Sequence, residues 1–137
     1  MIEVFCDGGS RGNPGPAAYG FVVKENQKLI YQGRGYLGIA TNNLAEYTAV
    51  VKALSWLAEN FAGEDLLLNL DSQLVVSQLS GLYKVKNPKL RELIFKIREF
   101  ESNFGSVSYR HISRNQNKEA DALVNQALDE FGTQSLS

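Results

Sequence analysis

Four acids stand where a carboxylate could do chemistry: Asp7, Glu46, Asp71 and Asp121. Asp7 follows the apolar run IEVFC and Asp71 follows LLLNL, so each closes a strand-like segment. Glu46 falls in the first turn of one helical segment and Asp121 in the first turn or two of another. Sites in α/β sheets gather at the carboxyl ends of parallel strands, beside helix N-termini. All four carboxylates can therefore reach one edge of a sheet. Each acid alone has a simpler reading. Asp7–Gly8 is a common turn pair. Glu46, three residues after Asn43, completes a capping-box pattern. Asp71 could cap the helix that starts at Ser72, and Asp121 could be an exposed helix acid. Together they are costly, because four like charges near one point repel and tend to protonate. A compensating cation removes that cost, and an all-oxygen ligand set suits Mg²⁺ or Mn²⁺.

The remaining composition closes off other chemistries. His111 is the only histidine and Cys6 the only cysteine among 137 residues. Histidine-pair metal sites, thiolate zinc sites and an intramolecular disulfide are thereby excluded. A Ser–His–Asp triad would have to use His111, and no G-x-S-x-G elbow accompanies it. Cys6, among Ile2, Val4 and Phe5, reads as a buried thiol in a reducing compartment. The net charge of −1 lacks the global basic signature of many nucleic-acid binders, although a local patch or bound metals can do the same work. Glu3 and Asp7 interrupt the N-terminal apolar stretch, and no run approaches the length of a membrane span. The expectation is a cytoplasmic protein with no membrane contact.

The acids need elements to position them. Residues 2–6, 17–24 and 28–36 read as three strands, the last two joined by a turn at Glu25–Gln27. Residues 43–61 keep helical spacing through Leu44, Tyr47, Val50, Val51, Leu54, Leu57 and Ala58. LLLNL (66–70) reads as a central parallel strand, 72–80 as a short helix stopped by Gly81, and Pro88 opens a helix to about Asn103. A strand at 106–112 and a helix at 116–131 follow, with 132–137 as a flexible tail. The order βββαβααβα gives one domain over 1–137 with a mixed sheet and helices on both faces.

GRGYLG (33–38) is a literal G-x-G-x-x-G. It lies at a strand end, no helix opens on it, and position 53 is Ala rather than an acid. A dinucleotide site needs all three, so the segment reads as a bulge or turn. The stretch DGGSRGNPGP (7–16) holds four glycines and two prolines, more exposed backbone than a plain hairpin needs.

Four stretches, DGGSRGNPGPAAYG (7–20), TNNLAEYTAVVKAL (41–54), LDSQLVVSQLSG (70–81) and NKEADALVNQA (117–127), resemble ribonuclease H type 1 over nearly the whole chain. The resemblance implies an α/β ribonuclease H-like fold, a five-stranded mixed sheet in order 3-2-1-4-5. It implies a quartet of Asp7, Glu46, Asp71 and Asp121 holding two Mg²⁺ or Mn²⁺ ions. Asp7 would bridge both ions, Glu46 and Asp71 would hold the nucleophile-side ion, and Asp121 the other. The implied reaction is endonucleolytic hydrolysis of the RNA strand of an RNA–DNA hybrid, leaving 5′-phosphate and 3′-hydroxyl ends. By the same resemblance the backbone of the 8–13 loop (Gly8, Gly9, Ser10), Asn13, Glu46 and Gln73 face the RNA strand, and Thr41 and Asn42 hold a DNA-strand phosphate. Asn43 either extends that contact or caps the helix, and Asn87 is a further DNA-strand candidate.

Two departures from the family pattern matter. The extra helix and basic loop of many members are missing; GLYKVKNPKLR (81–91) is all that joins the two helices, as in short archaeal-type members. His111 lies ten residues before Asp121, the offset of the family's auxiliary histidine, yet inside a strand pattern. The favoured auxiliary residue is Arg114, with His111 the alternative. A monomer is expected, with double-stranded RNA a possible further substrate. The competing readings are a non-catalytic hybrid-binding module and a sister nuclease of the same fold.

Overall fold

A computed structural model describes the backbone of residues 1–136 and the side chains of residues 1–131. Strands β1 (Ile2–Ser10), β2 (Gly15–Glu25) and β3 (Lys28–Ala40) form an antiparallel meander. The β2–β3 turn places Asn26 and Gln27 at φ 52° and 68°. That backbone matches the right-handed twist of a tight hairpin. Helix α1 (Asn42–Asn60) crosses to β4 (Asp65–Leu70). Helices α2 (Gln73–Leu79) and α3 (Pro88–Glu101) lead to β5 (Ser106–His111). A 3-10 turn (Arg114–Asn117) then opens α4 (Lys118–Leu136). The five strands lie in the order β3-β2-β1-β4-β5, with β4 parallel to both β1 and β5.

The two faces of this sheet are covered unequally. On one face Tyr47, Val50, Leu54 and Leu57 of α1 pack on Ile2, Val4, Cys6, Leu66, Leu68 and Leu70, joined by Val75, Leu79 and Ile97 from α2 and α3. On the other, α4 covers β1, β2 and β3 through a small cluster of Ala18, Val124, Ala127 and Leu128, with the Tyr36 ring stacked on Phe131. Three ion pairs fasten α4 at its edges: Arg11–Asp129, Lys24–Glu119 and Arg34–Glu130.

Several boundaries differ from the sequence reading. β1 continues past Asp7 to Ser10, because Gly8, Gly9 and Ser10 stay paired with Tyr19, Ala18 and Ala17. The 8–13 segment is therefore half strand, and the loop proper is Arg11–Pro14. β3 runs four residues beyond Tyr36. The β2–β3 register shifts between Ala17 and Ala18, and Gly38 has φ +80°. GRGYLG is thus strand and bulge. Gly33 and Gly35 leave room for the Phe21 and Tyr19 rings. The segment expected as a tail carries the end of α4 as far as Leu136, and Ser137 lies outside the described residues. No described helix is long and apolar enough to cross a membrane.

Candidate active site

The place of Asp7 follows from where two ladders stop. The parallel β1–β4 pairing ends at Cys6–Leu70, whereas the antiparallel β1–β2 pairing continues to Ser10–Ala17. Asp7 and Asp71 are therefore the first residues past the last parallel pair, side by side. Beyond that point the β4-side peptide edge of β1 has no strand partner, and it borders the site as bare backbone.

Two glycines let a helix in from each face. A Cβ at Gly8 would overlap the backbone of Ala45 and Glu46, so α1 packs directly on β1 and delivers Glu46. Gly20 pairs with Asp7, and a Cβ there would lie 2.7 Å from Leu123 Cβ and 2.8 Å from the Ala120 carbonyl oxygen. That close approach delivers the first turn of α4, with Asp121. The glycine at position 8 thus serves helix packing as well as standing in the cavity wall, where the resemblance places the RNA strand.

The alternative readings of the acids as caps fall away. Thr41 is the N-cap of α1, its hydroxyl accepting from Leu44 N at 3.1 Å. Glu46 is accordingly in the second turn, and Asn43 does not cap. Ser72, not Asp71, caps α2.

Asp7, Glu46 and Asp71 each offer a carboxylate oxygen within 4.8 Å of the others. Asp121 stands at the exposed rim of the same cavity, outside this tight trio. Asp7 is 8 % exposed. Burial, then the charges of Asp71 and Asp121, push its carboxyl up to about 8, against a favourable bond from the Gly8 backbone. Glu46 is also pushed up to about 8, by burial and then by Asp7 and Asp71, with Arg114 opposing. Glu46 Oε2 is buried with no hydrogen-bond partner. A buried carboxylate oxygen without a donor is costly unless a cation faces it. The donor set is all oxygen, so the residues fit a hard divalent ion. The Cys6 thiol is pushed far up by burial and by Asp7 and Glu46, and stays protonated beside the site.

These groups line a cavity of about 440 Å³, with Gly8, Gly9, Ser10, Asn42 and Arg114 also in its wall. A second cavity of about 860 Å³ holds Asn13, Thr41, Asn42, Asn43 and Asn87, so Asn42 is common to both. Asn42 Oδ1 accepts from Ser10 N at 2.9 Å, and Asn13 Oδ1 accepts from Asn42 N at 3.0 Å. Because both donors are backbone N–H groups, each amide must turn its oxygen inward, which leaves its NH₂ for other partners. Asn87 caps α3 through Oδ1, accepting from Lys89 N at 2.9 Å and Leu90 N at 3.2 Å. The N-termini of α1 and α3 thus converge on the second cavity, with Lys89 in its wall. Asn13, Thr41 and Asn87 already engage most N–H groups of these helix ends, so the helix dipoles and the Lys89 cation are what favour an anion there.

Two expected residues fall outside both cavities. Gln73 donates from Nε2 to Ser77 Oγ at 3.1 Å on α2. His111 ends β5 as an exposed residue aligned with Leu70. Three residues were missed: Arg11, Asn117 and Asn125. Arg11 lines the first cavity and bonds Asp129 and Asn125. Asn125 bonds the Asp121 carbonyl at 3.1 Å, and Asn117 bonds Asp71 at 3.1 Å. A signal was present, since Asn117, Asp121 and Asn125 recur every four residues on one helical face.

The family model described as "Reverse transcriptase-like" matches residues 5–127. The ribonuclease HI of Halobacterium salinarum is 43 % identical over 130 residues, covering 94 % of this chain and 65 % of that protein. Its RNase H1 crystal structure superposes with a TM-score of 0.88 over 94 % of this chain and 98 % of that one, at 42 % identity. A bifunctional protein of Mycobacterium tuberculosis is 40 % identical over 93 % of this chain and 35 % of its own length. The chain therefore spans 65 % and 35 % of these two relatives. LC11-RNase H1, isolated from compost and solved in complex with RNA/DNA hybrid, gives a TM-score of 0.90 at 37 % identity over the whole of both chains. With a match along almost its entire length and the five-stranded sheet order that the resemblance implies, the chain belongs to the ribonuclease H type 1 family, in a short form without the extra helix and basic loop.

Proposed function

We propose that the chain is a divalent-metal-dependent endoribonuclease that hydrolyses the RNA strand of RNA–DNA hybrids and leaves 5′-phosphate and 3′-hydroxyl ends. The observation that carries this reading is the trio Asp7, Glu46 and Asp71 within 4.8 Å, with a buried Glu46 oxygen left without a donor. The hybrid bound by the similar LC11-RNase H1 supports the substrate class.

Asp7, Glu46, Asp71 and Asp121 would hold two Mg²⁺ or Mn²⁺ ions, Asp7 being the acid whose charge acts on or is acted on by each of the other three. Divalent ions held there ease ionisation of the attacking water and offset charge developing on the phosphate. The unpaired peptide edge of Gly8–Ser10 lies along the same cavity and presents small backbone groups to a 2′-hydroxyl, the group that distinguishes RNA from DNA. Ser10 N is engaged by Asn42, so the outward NH₂ groups of Asn42 and Asn13 are the readers on that side. The second cavity, with Thr41, Asn42, Asn43 and Asn87, suits a phosphate of the DNA strand. Arg114 lines the catalytic cavity and acts on Glu46 electrostatically. An arginine cannot serve as a base, so its work is to steer phosphate or help product leave. Arg114→Ala should lower turnover more than His111→Ala, and the opposite order in steady-state rates would reverse the assignment.

Labelled RNA–DNA hybrid, double-stranded RNA and duplex DNA, each with Mg²⁺, Mn²⁺ or EDTA, test the whole reading. Cleavage of the hybrid RNA, lost with EDTA and with Asp7→Asn, is the expected result. Binding of hybrid without cutting under every metal condition would make the chain a binding module. Preferential cutting of duplex DNA would make it a sister nuclease.

A further inference from the structure

Asn117 is the last residue of the 3-10 turn that opens α4, and it is 1 % exposed. Its Nδ2 donates to the Cys6 carbonyl at 2.9 Å and to Asp71 Oδ2 at 3.1 Å. Cys6 is the last β1 residue paired with β4, and it directly precedes Asp7. One amide group therefore joins three parts: the strand end that carries Asp7, the carboxylate of Asp71, and the turn that leads to Asp121. The same turn carries Arg114, whose guanidinium acts on Glu46.

The choice of an amide has a physical reason. Asp7, Glu46 and Asp71 repel one another, so each carboxylate tends to turn away from the cluster. A lysine or arginine at this place would hold Asp71 by charge, and would compete with any cation for it. A neutral N–H fixes the orientation of one oxygen and leaves the negative charge available. Only Oδ2 of Asp71 is engaged by Asn117, which leaves Oδ1 for other ligation. Groups that orient metal-ligating side chains in this way typically change metal affinity or activity by about 10- to 100-fold when removed.

We infer that Asn117 is a positioning residue: it sets the orientation of the Asp71 carboxylate and docks the N-terminus of α4 against the end of β1, and so prepares the acid cluster for divalent ions. This rests on the metal-site reading of the four acids. The test is Mn²⁺ binding to the full chain without nucleic acid, followed by calorimetry or electron paramagnetic resonance, in a double-mutant cycle of Asn117→Ala and Asp71→Asn. Asn117→Ala should weaken Mn²⁺ binding about 10-fold or more in the wild-type background and change it little in the Asp71→Asn background. Hybrid KM should stay within about threefold while kcat falls.

Equal Mn²⁺ binding by wild type and Asn117→Ala would overturn the inference and leave the metal site standing. An equal loss in both backgrounds would also overturn it, because the residue would then act on the fold and not through Asp71. A wild-type chain that takes up no Mn²⁺ overturns both readings. Because Asn117→Ala uncovers a buried carbonyl and risks unfolding, Asn117→Ser is measured alongside it. Its shorter side chain reaches neither acceptor, and it leaves room for a water that can hydrogen-bond the Cys6 carbonyl. It should fold and still show the Mn²⁺ defect, and a folded Asn117→Ser with wild-type Mn²⁺ affinity would overturn the inference.

Discussion

The α1 face and the α4 face of the sheet contribute to one site by different means. On the α1 face, Glu46 sits on a helix anchored by fully buried Tyr47, Val50, Leu54 and Leu57. On the α4 face, Asp121 sits exposed on a helix held by a smaller apolar cluster and by ion pairs at the surface. Apolar burial is worth about 25 cal/mol per Å², whereas exposed ion pairs contribute about 0–1 kcal/mol each. The acid trio is therefore rigid, and the fourth acid rides on the more weakly held helix. A site assembled this way keeps three carboxylates in fixed relation while the fourth can adjust.

The strongest challenge to this picture is chemical. Asp7→Asn should reduce hybrid cleavage about a thousandfold, equivalent to about 4 kcal/mol in the barrier. The same change should raise the stability of the metal-free protein at pH 8, because it removes a buried carboxyl that resists ionisation. A variant that lost activity by unfolding would show the opposite shift in thermal melting.

Next in size is the contrast between the two glycines. Gly8→Ala forces a Cβ into the α1 backbone and should cost about 3 kcal/mol in urea denaturation. Gly20→Ala meets α4, which can shift, and should cost about 1–2 kcal/mol while still depressing activity through Asp121. Equal costs would mean that the two faces are equally rigid.

The pH dependence sharpens the comparison from the buried side. Asp7 and Glu46 have folded values near 8, against about 4 in an unfolded chain. The native state then binds more protons than the unfolded state between about pH 4 and pH 8, so stability falls as pH rises through that window. Metal-free melting temperature should drop by at least about 5 °C from pH 5 to pH 8, and saturating Mg²⁺ should flatten the slope. A rise with pH in the metal-free protein would contradict the desolvation of Asp7 and Glu46. The smallest effect is expected at the rim. Arg34→Ala removes the Arg34–Glu130 pair and should change stability by less than about 1 kcal/mol.

Much of this site is legible in the sequence, and particular residues show why the rest is not. Asp7 and Asp71 can be found because each follows an apolar run, and Glu46 and Asp121 because each opens a helical pattern. The end of β1 is not legible. GGS reads as loop by composition, and it is strand only because β2 supplies partners as far as Ala17. The N-cap of α1, which the residues leave open, is illegible for a similar reason. Thr41, Asn42 and Asn43 are all competent caps, and the choice of Thr41 depends on Asn42 being drawn to Ser10 and Asn13. Asn117 recurs with Asp121 and Asn125 at helical spacing, but its reach to Cys6 and Asp71 appears only when the turn docks on the end of β1.

The element types, the sheet class, the acid set and the family likeness can all be read along the chain. These depend on local periodicity and on residue identity, which a linear chain displays. Tertiary structure alone decided which three acids crowd together and which stands at the rim. It alone decided that Gly8 and Gly20 serve helix packing, and that Asn13 and Asn42 turn their oxygens inward. Those outcomes depend on where one ladder stops and another continues, and on how closely two helices approach one strand. Such distances arise between residues far apart in the chain, so no local pattern encodes them.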